Sequence, residues 1–179
     1  MPILKSKRRT RKTIRGIIQK AKELYKRYGS EEIDSVVKKL GAELYEDHAT
    51  RNINEVYYLD LKAIAIKPNL HPYERKYLIA HTLDHHLFYR GGLFQDYIRL
   101  HEEGIFGSRE FGRIERASKE READLFAAYF LIPDEKFKPI LEEEWFKESS
   151  NPIPKLTDKF QVPEELVRMR LEFEKFGGR

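Results

Sequence analysis

The segment 72–89 constrains the fold more than any other part of this 179-residue chain. Pro72 suits the first turn of a helix, and Arg90-Gly91-Gly92 ends the helical pattern. Apolar side chains occur around most of the circumference of this helix, which is typical of a helix buried on all sides. They are Tyr77, Leu78, Ile79, Ala80, Leu83, Leu87 and Phe88. We therefore predict a central helix around which the rest of the chain packs.

Polar residues interrupt the middle of this predicted helix in the run AHTLDHH, residues 80–86. His81 and His85 are four positions apart, or about 40° around a helix, so both imidazoles can face one ion. Burying two imidazoles without partners would be costly. The pair therefore predicts a metal site, whereas His86 points elsewhere and is interpreted as a structural histidine.

A second helix, predicted over 115–132, contains the run EREADLFAAYFLIP. Glu120 lies on its core-facing side and Asp124 follows one turn later. We expect Glu120 to complete a His-His-Glu ligand set and Asp124 to orient an imidazole. Acidic residues that complement the helix dipole are the alternative interpretation, but they explain poorly why Asp124 interrupts an apolar face. The chain has no cysteine, so thiolate ligands are excluded.

The remaining patterns predict an α+β fold, with a small sheet packed against a mainly helical body. A helix is expected over 14–28, and a second begins at a Ser30 cap and ends at Gly41. Two or three short helices should follow residue 133. Strands are expected over 42–46, 55–61 and 63–67, and a loop or partial helix over 91–113.

The positive charge of the chain is concentrated near its start. The formal net charge is +4, and seven basic residues lie within 5–15, which leaves −3 for the rest. We expect residues 1–12 to be a disordered basic arm and 13–179 to be one domain. The arm could bind phosphates weakly, so a nucleic-acid partner stays an alternative. No apolar run is long enough to span a bilayer, and a cytoplasmic protein without a membrane partner is expected.

The two motifs together, AHTLDHHLF and EREADLFAAYFLIP, resemble the ImmA/IrrE family of metallopeptidases. That family combines an AHELGHHL-like helix with an ExxANxFAxxLLMP-like helix that supplies the third ligand. The resemblance extends over about residues 14–175. It implies a zincin-like fold with one Zn²⁺ bound by His81, His85 and Glu120. It also implies a protein partner or substrate, such as a helix-turn-helix repressor of mobile elements or stress genes.

The chain departs from this family at two positions within the motif. Thr82 replaces the glutamate of HExxH, which normally accepts a proton from the water polarised by the metal. A threonine hydroxyl cannot do this near neutral pH, and loss of a general base typically costs about 10²–10⁴ in rate. Asp84 replaces a glycine, and HxxDH approaches the inverted HxxEH pattern. Asp84 is therefore a candidate substitute base, with a structural hydrogen bond as the alternative.

Three functions follow from these observations. The first is a zinc-binding, catalytically impaired pseudopeptidase that binds or acts on a transcriptional regulator, as the Thr82 substitution indicates. The second is an active metallopeptidase that uses Asp84 or another carboxylate as its general base. The third is a nucleic-acid-associated regulator that acts through the basic arm. The residue patterns favour the first.

Overall fold

The computed structural model describes residues 14–48, 54–88 and 110–175, with side chains in the last range described from residue 119 onward. The predicted α+β class is confirmed: within these ranges, helices form the body and three strands form one small sheet. The elements in chain order are α1 Ile14–Tyr28, α2 Ile33–Lys39, β1 Glu43–Glu46, β2 Glu55–Tyr58, β3 Ala63–Ile66, α3 Pro72–Phe88, α4 Glu110–Leu131, α5 Asp134–Glu142, α6 Glu144–Glu148, α7 Ile153–Phe160 and α8 Glu164–Lys175.

Most predicted boundaries fall within a few residues of these, and three differ in an informative way. The Ser30 cap is wrong, because α2 begins after Glu32, whose backbone is extended and whose side chain makes no capping bond. Helix α4 begins at Glu110, five residues before the predicted start at 115 and within the segment 91–113 for which a loop or partial helix was expected. Within the described residues, four helices follow residue 133, rather than the two or three that were expected. Gly41 does end α2, with a φ of 85° that favours glycine.

The sheet has the order β1-β3-β2, with β3 in the centre. Strand β3 pairs parallel with β1 and antiparallel with β2. All four side chains of β3 are buried, as expected of a central strand covered on both faces. In β2, by contrast, Glu55 and Tyr58 at the two ends are partly exposed, while Val56 and Tyr57 are buried.

Helix α3 is buried along its second half, as predicted. Every residue from Leu78 to His86 is buried, and the helix packs against β2, β3 and α4. The rings of Phe88 on α3 and Phe126 on α4 meet edge to face, with their centroids 6.4 Å apart. This packing fixes the axes of α3 and α4 relative to each other, and so fixes the side chains that project between them.

Two expectations concern parts of the chain outside this core. The predicted basic arm, residues 1–12, lies outside the described residues, and so does most of 91–113. Among the helices that are described, none combines the length and apolar character needed to cross a membrane.

Candidate metal centre

Three ligand-type side chains from α3 and α4 meet between the two helices. His81 and His85 are both buried, and Glu120 is partly exposed. One nitrogen of each imidazole and one oxygen of the carboxylate lie within 4.8 Å of one another. The structure therefore brings together the three residues that the sequence patterns singled out as ligands.

The spacing of these atoms fits a small tetrahedral ion. The Nε2 atoms of His81 and His85 are 3.2 Å apart, and His81 Nε2 lies 3.0 Å from Glu120 Oε2. His85 Nε2 lies 3.6 Å from Glu120 Oε1. Zinc bonds to nitrogen and oxygen are about 2.0–2.2 Å long, so ligand atoms at the corners of a tetrahedron are about 3.4 Å apart. The donor set and its spacing thus match those of a His₂Glu zinc site.

Asp124 contacts the imidazole of His81 at Nδ1, the nitrogen that faces away from Glu120 and His85. Its Oδ1 lies 2.7 Å from Nδ1 of His81 and also accepts a hydrogen bond of 2.6 Å from the Tyr77 hydroxyl. A hydrogen on Nδ1 leaves the Nε2 lone pair of His81 facing Glu120 and His85. Carboxylates commonly orient metal-binding histidines in this way.

A fourth acidic side chain, Glu55 on β2, reaches the same place, and the sequence patterns did not predict it. Its Oε2 accepts a short hydrogen bond from the Thr82 hydroxyl, and its Oε1 lies 3.6 Å from His81 Nε2. The only available signal was an acidic residue at the start of an apolar strand, which is ambiguous because strand ends are often exposed. The side chain of Glu55 is only 22% exposed.

The charges of these groups perturb one another. Burial alone would lower the pKa of His81, but the carboxylates of Glu55, Asp124 and Glu120 outweigh it and raise that pKa well above its usual value. Burial also raises the pKa of Glu55, against the opposing effects of His81 and Thr82. Three carboxylates around one imidazole form an environment that favours a cation. A divalent ion fits this charge as well as the spacing.

Sequence comparison places these helices in a known family. The profile of the IrrE N-terminal-like domain, a peptidase family, matches residues 37–172. This chain belongs to that family. The IrrE-like match covers both motif helices and the sheet, and it confirms the ImmA/IrrE resemblance. None of the curated proteins is significantly similar to the chain.

Among solved structures, the IrrE-like fold resembles that of a Mycobacterium tuberculosis transcriptional regulator. The TM-score is 0.61 at 20% sequence identity, and the match covers 88% of this chain. The similarity spans 46% of the other protein, so this chain corresponds to about half of that regulator's length. At this identity the match supports the fold alone.

The other candidate residues of this IrrE-like chain are less well placed for chemistry. Asp84 is completely buried and interacts within the protein, and its role as substitute base stays a prediction. His86 is structural, as predicted: its Nδ1 lies 2.8 Å from the Tyr57 hydroxyl and its Nε2 lies 3.0 Å from the Leu40 carbonyl oxygen. His48 and His71 are exposed.

A cleft of about 440 Å³ adjoins the metal cluster. Its wall includes Tyr77 and Asp124 from beside the cluster, together with Leu166 and Met169 of α8. A larger cavity of about 1030 Å³ lies on another side, between α2 and α5, and the residues that line either space include none of His81, His85 and Glu120. Of the two, only the smaller one reaches the candidate site, through Asp124, whose carboxylate contacts His81.

Proposed function

We propose that this chain binds one zinc ion through His81, His85 and Glu120 and acts at that site on a transcriptional regulator. The observation that carries the proposal is the convergence of these three ligand atoms with zinc-like spacing between α3 and α4. Two imidazoles and a carboxylate suit zinc better than magnesium or calcium, which prefer oxygen ligands.

The chemistry expected of the site is hydrolysis of a peptide bond. A bound zinc ion would polarise the scissile carbonyl and lower the pKa of a water molecule. Among the chain's own residues, Asp124 holds His81 in the tautomer that binds the metal. Membership of a peptidase family supports this reaction class.

A regulator of transcription is the proposed protein partner. The support is a fold shared with a protein described as a transcriptional regulator, together with the family resemblance of the two motifs. If a helix-turn-helix repressor is encoded beside the gene, it is the candidate to test first. The basic arm, on which a nucleic-acid partner would depend, lies outside the described residues.

A second candidate function is binding of the regulator without cleavage. The observation that favours it is Thr82, whose hydroxyl stands where a peptidase of this type has a glutamate. Without another proton acceptor, the rate should be lower by about 10²–10⁴ than in a site with that glutamate. Such a pseudopeptidase would keep its metal and its partner but turn over very slowly.

The experiment combines metal analysis with a cleavage assay. Protein prepared with excess zinc and then desalted is expected to retain one ion per chain and to cleave a helix-turn-helix regulator encoded beside its gene in a chelator-sensitive way. His81→Ala should lose both properties, while His48→Ala, which alters an exposed histidine, should lose neither. Zinc below about half an equivalent in the unaltered protein would contradict the metal site. Zinc retention with regulator binding but no cleavage would support the second candidate.

A further inference from the structure

We propose that Glu55 is the general base of this centre, and that β2 supplies from across the site the carboxylate that α3 lacks at Thr82. This assignment rests on the metal-dependent hydrolysis proposed above. The residue that accepts the proton from water is then 27 positions away in sequence from Thr82, the position where the family has its glutamate. Thr82 then acts as a positioning residue, because its hydroxyl, which also lies 2.8 Å from the Leu78 carbonyl oxygen, shares its one hydrogen between that oxygen and the Glu55 carboxylate.

The placement of Glu55 follows from how β2 runs along α3. Side chains two apart on a strand point to the same face, so Glu55 and Tyr57 both face the helix. Tyr57 contacts His86, and Glu55 contacts Thr82. Glu55 and Tyr57 are about 6.7 Å apart along the strand, and Thr82 and His86 are about 6 Å apart along the helix, so both contacts can form at once. The buried Tyr57–His86 contact therefore fixes the register that delivers Glu55 to the metal cluster.

The carboxylate also occupies nearly the position that a glutamate on the helix would reach. The threonine hydroxyl oxygen is attached where a glutamate has its Cγ, and a glutamate would extend two further bonds to its carboxylate oxygens. Oε2 of Glu55 accepts a short hydrogen bond from that hydroxyl, so it lies about as far from the hydroxyl oxygen as a glutamate oxygen would lie from its Cγ. Oε1 of Glu55 is 3.6 Å from Nε2 of His81. The shorter Thr82 side chain leaves this space open, and Glu55 fills it.

In the proposed step, the oxygen of a water molecule forms a bond to the carbonyl carbon of the peptide while Glu55 accepts one proton from that water. The bond between the carbonyl carbon and the amide nitrogen then breaks. Glu55 returns the proton to the leaving nitrogen, which yields a carboxylic acid and an amine and restores the carboxylate. No oxidant, reductant or further reactant is required.

The test moves the carboxylate between β2 and α3. Four proteins are compared: the unaltered chain, Glu55→Gln, Thr82→Glu and the double variant with both changes. Glu46→Gln is the matched control, because it makes the same change on an exposed glutamate of the same sheet. The rate is the chelator-sensitive hydrolysis of a mixture of internally quenched peptides. Zinc affinity is measured separately by competition with a chelator.

We expect Glu55→Gln to lower the rate by about 10²-fold or more, with zinc affinity within about threefold of the unaltered protein. Thr82→Glu alone should not raise the rate, because its carboxylate would compete with that of Glu55 for the same space. In the Glu55→Gln background the same change should restore most of the rate, because it returns a carboxylate to that position. The unchanged zinc affinity of Glu55→Gln is what distinguishes a base from a residue that only supports the site. Glu46→Gln should change neither quantity.

Several outcomes would overturn the assignment, and they differ from those that would overturn the metal site. Hydrolysis unchanged in Glu55→Gln, or absent from the zinc-loaded unaltered protein, would show that Glu55 is not the base. A loss of zinc affinity parallel to the loss of rate would make Glu55 a ligand instead. Failure of the unaltered chain to bind zinc would instead refute the proposed function itself.

Discussion

Substitution of Asp124 by asparagine should weaken zinc binding without removing any ligand. One oxygen of Asp124 serves two donors, Nδ1 of His81 at 2.7 Å and the Tyr77 hydroxyl at 2.6 Å. The amide keeps the shape of the side chain but loses the charge. Loss of such a partner typically costs about 10–100-fold in metal affinity, or about 1.4–2.7 kcal/mol. A hydrogen bond to a charged group is worth a similar amount, about 1.5–3 kcal/mol.

The pH dependence of this effect makes the prediction sharper. The Glu55, Asp124 and Glu120 carboxylates raise the pKa of His81, so a proton competes with the metal for that imidazole. Removing the charge of Asp124 lowers the pKa of His81 and weakens this competition, which offsets part of the loss. The offset shrinks as the pH rises and His81 gives up its proton in both proteins. The affinity deficit of Asp124→Asn should therefore be larger at pH 9 than at pH 6.

Competition of the protein with a chromogenic chelator measures zinc affinity at both pH values. Tyr77→Phe is the control, because it removes the second donor to Asp124 and leaves the contact between Asp124 and His81 in place. We expect an effect on affinity well below that of Asp124→Asn. Equal zinc affinity of Asp124→Asn and the unaltered protein at both pH values would refute the orienting role of Asp124.

Two further predictions concern stability. Arg170→Ala should reduce the free energy of unfolding, measured by urea titration, by about 3–5 kcal/mol. The reason is that Arg170 is fully buried and pairs with Asp134 and Glu174. A loss below about 1 kcal/mol would contradict this prediction. In the metal-free protein, the raised pKa of His81 adds stability that is complete below its unfolded pKa near 6.5 and is lost as the pH rises through its folded pKa. Unfolding at a series of pH values should show this decline, and it should be absent from His81→Gln.

The convergence of His81, His85 and Glu120 could be predicted from the sequence because its signal is local. His81 and His85 share one face of a single helix, and their surroundings are so apolar that two imidazoles there require an explanation. Glu120 and Asp124 are likewise four residues apart and share one face of the next helix, α4. Two side chains four residues apart on an uninterrupted helix point from the same face, and this holds without any knowledge of the rest of the fold.

Glu55 could not be predicted in this way, because its position depends on tertiary structure. The strand EVYY indicates that Glu55 and Tyr57 share a face, but not which helix that face meets. The register is set by β3, which pairs with β2 so that Glu55 lies opposite Ile66, and by the contact between Tyr57 and His86. The predicted Ser30 cap was wrong for a related reason, since a capping residue type does not determine where the backbone turns helical.

Anomalous diffraction from crystals of the zinc-loaded protein, recorded on both sides of the zinc absorption edge, tests the central claim most directly. The account predicts one strong peak between α3 and α4, about 2.0–2.2 Å from nitrogens of His81 and His85 and from an oxygen of Glu120. It also predicts that the Glu55 carboxylate stands near the peak without binding the ion. No peak at this position, or a peak from which Glu120 is turned away, would contradict it.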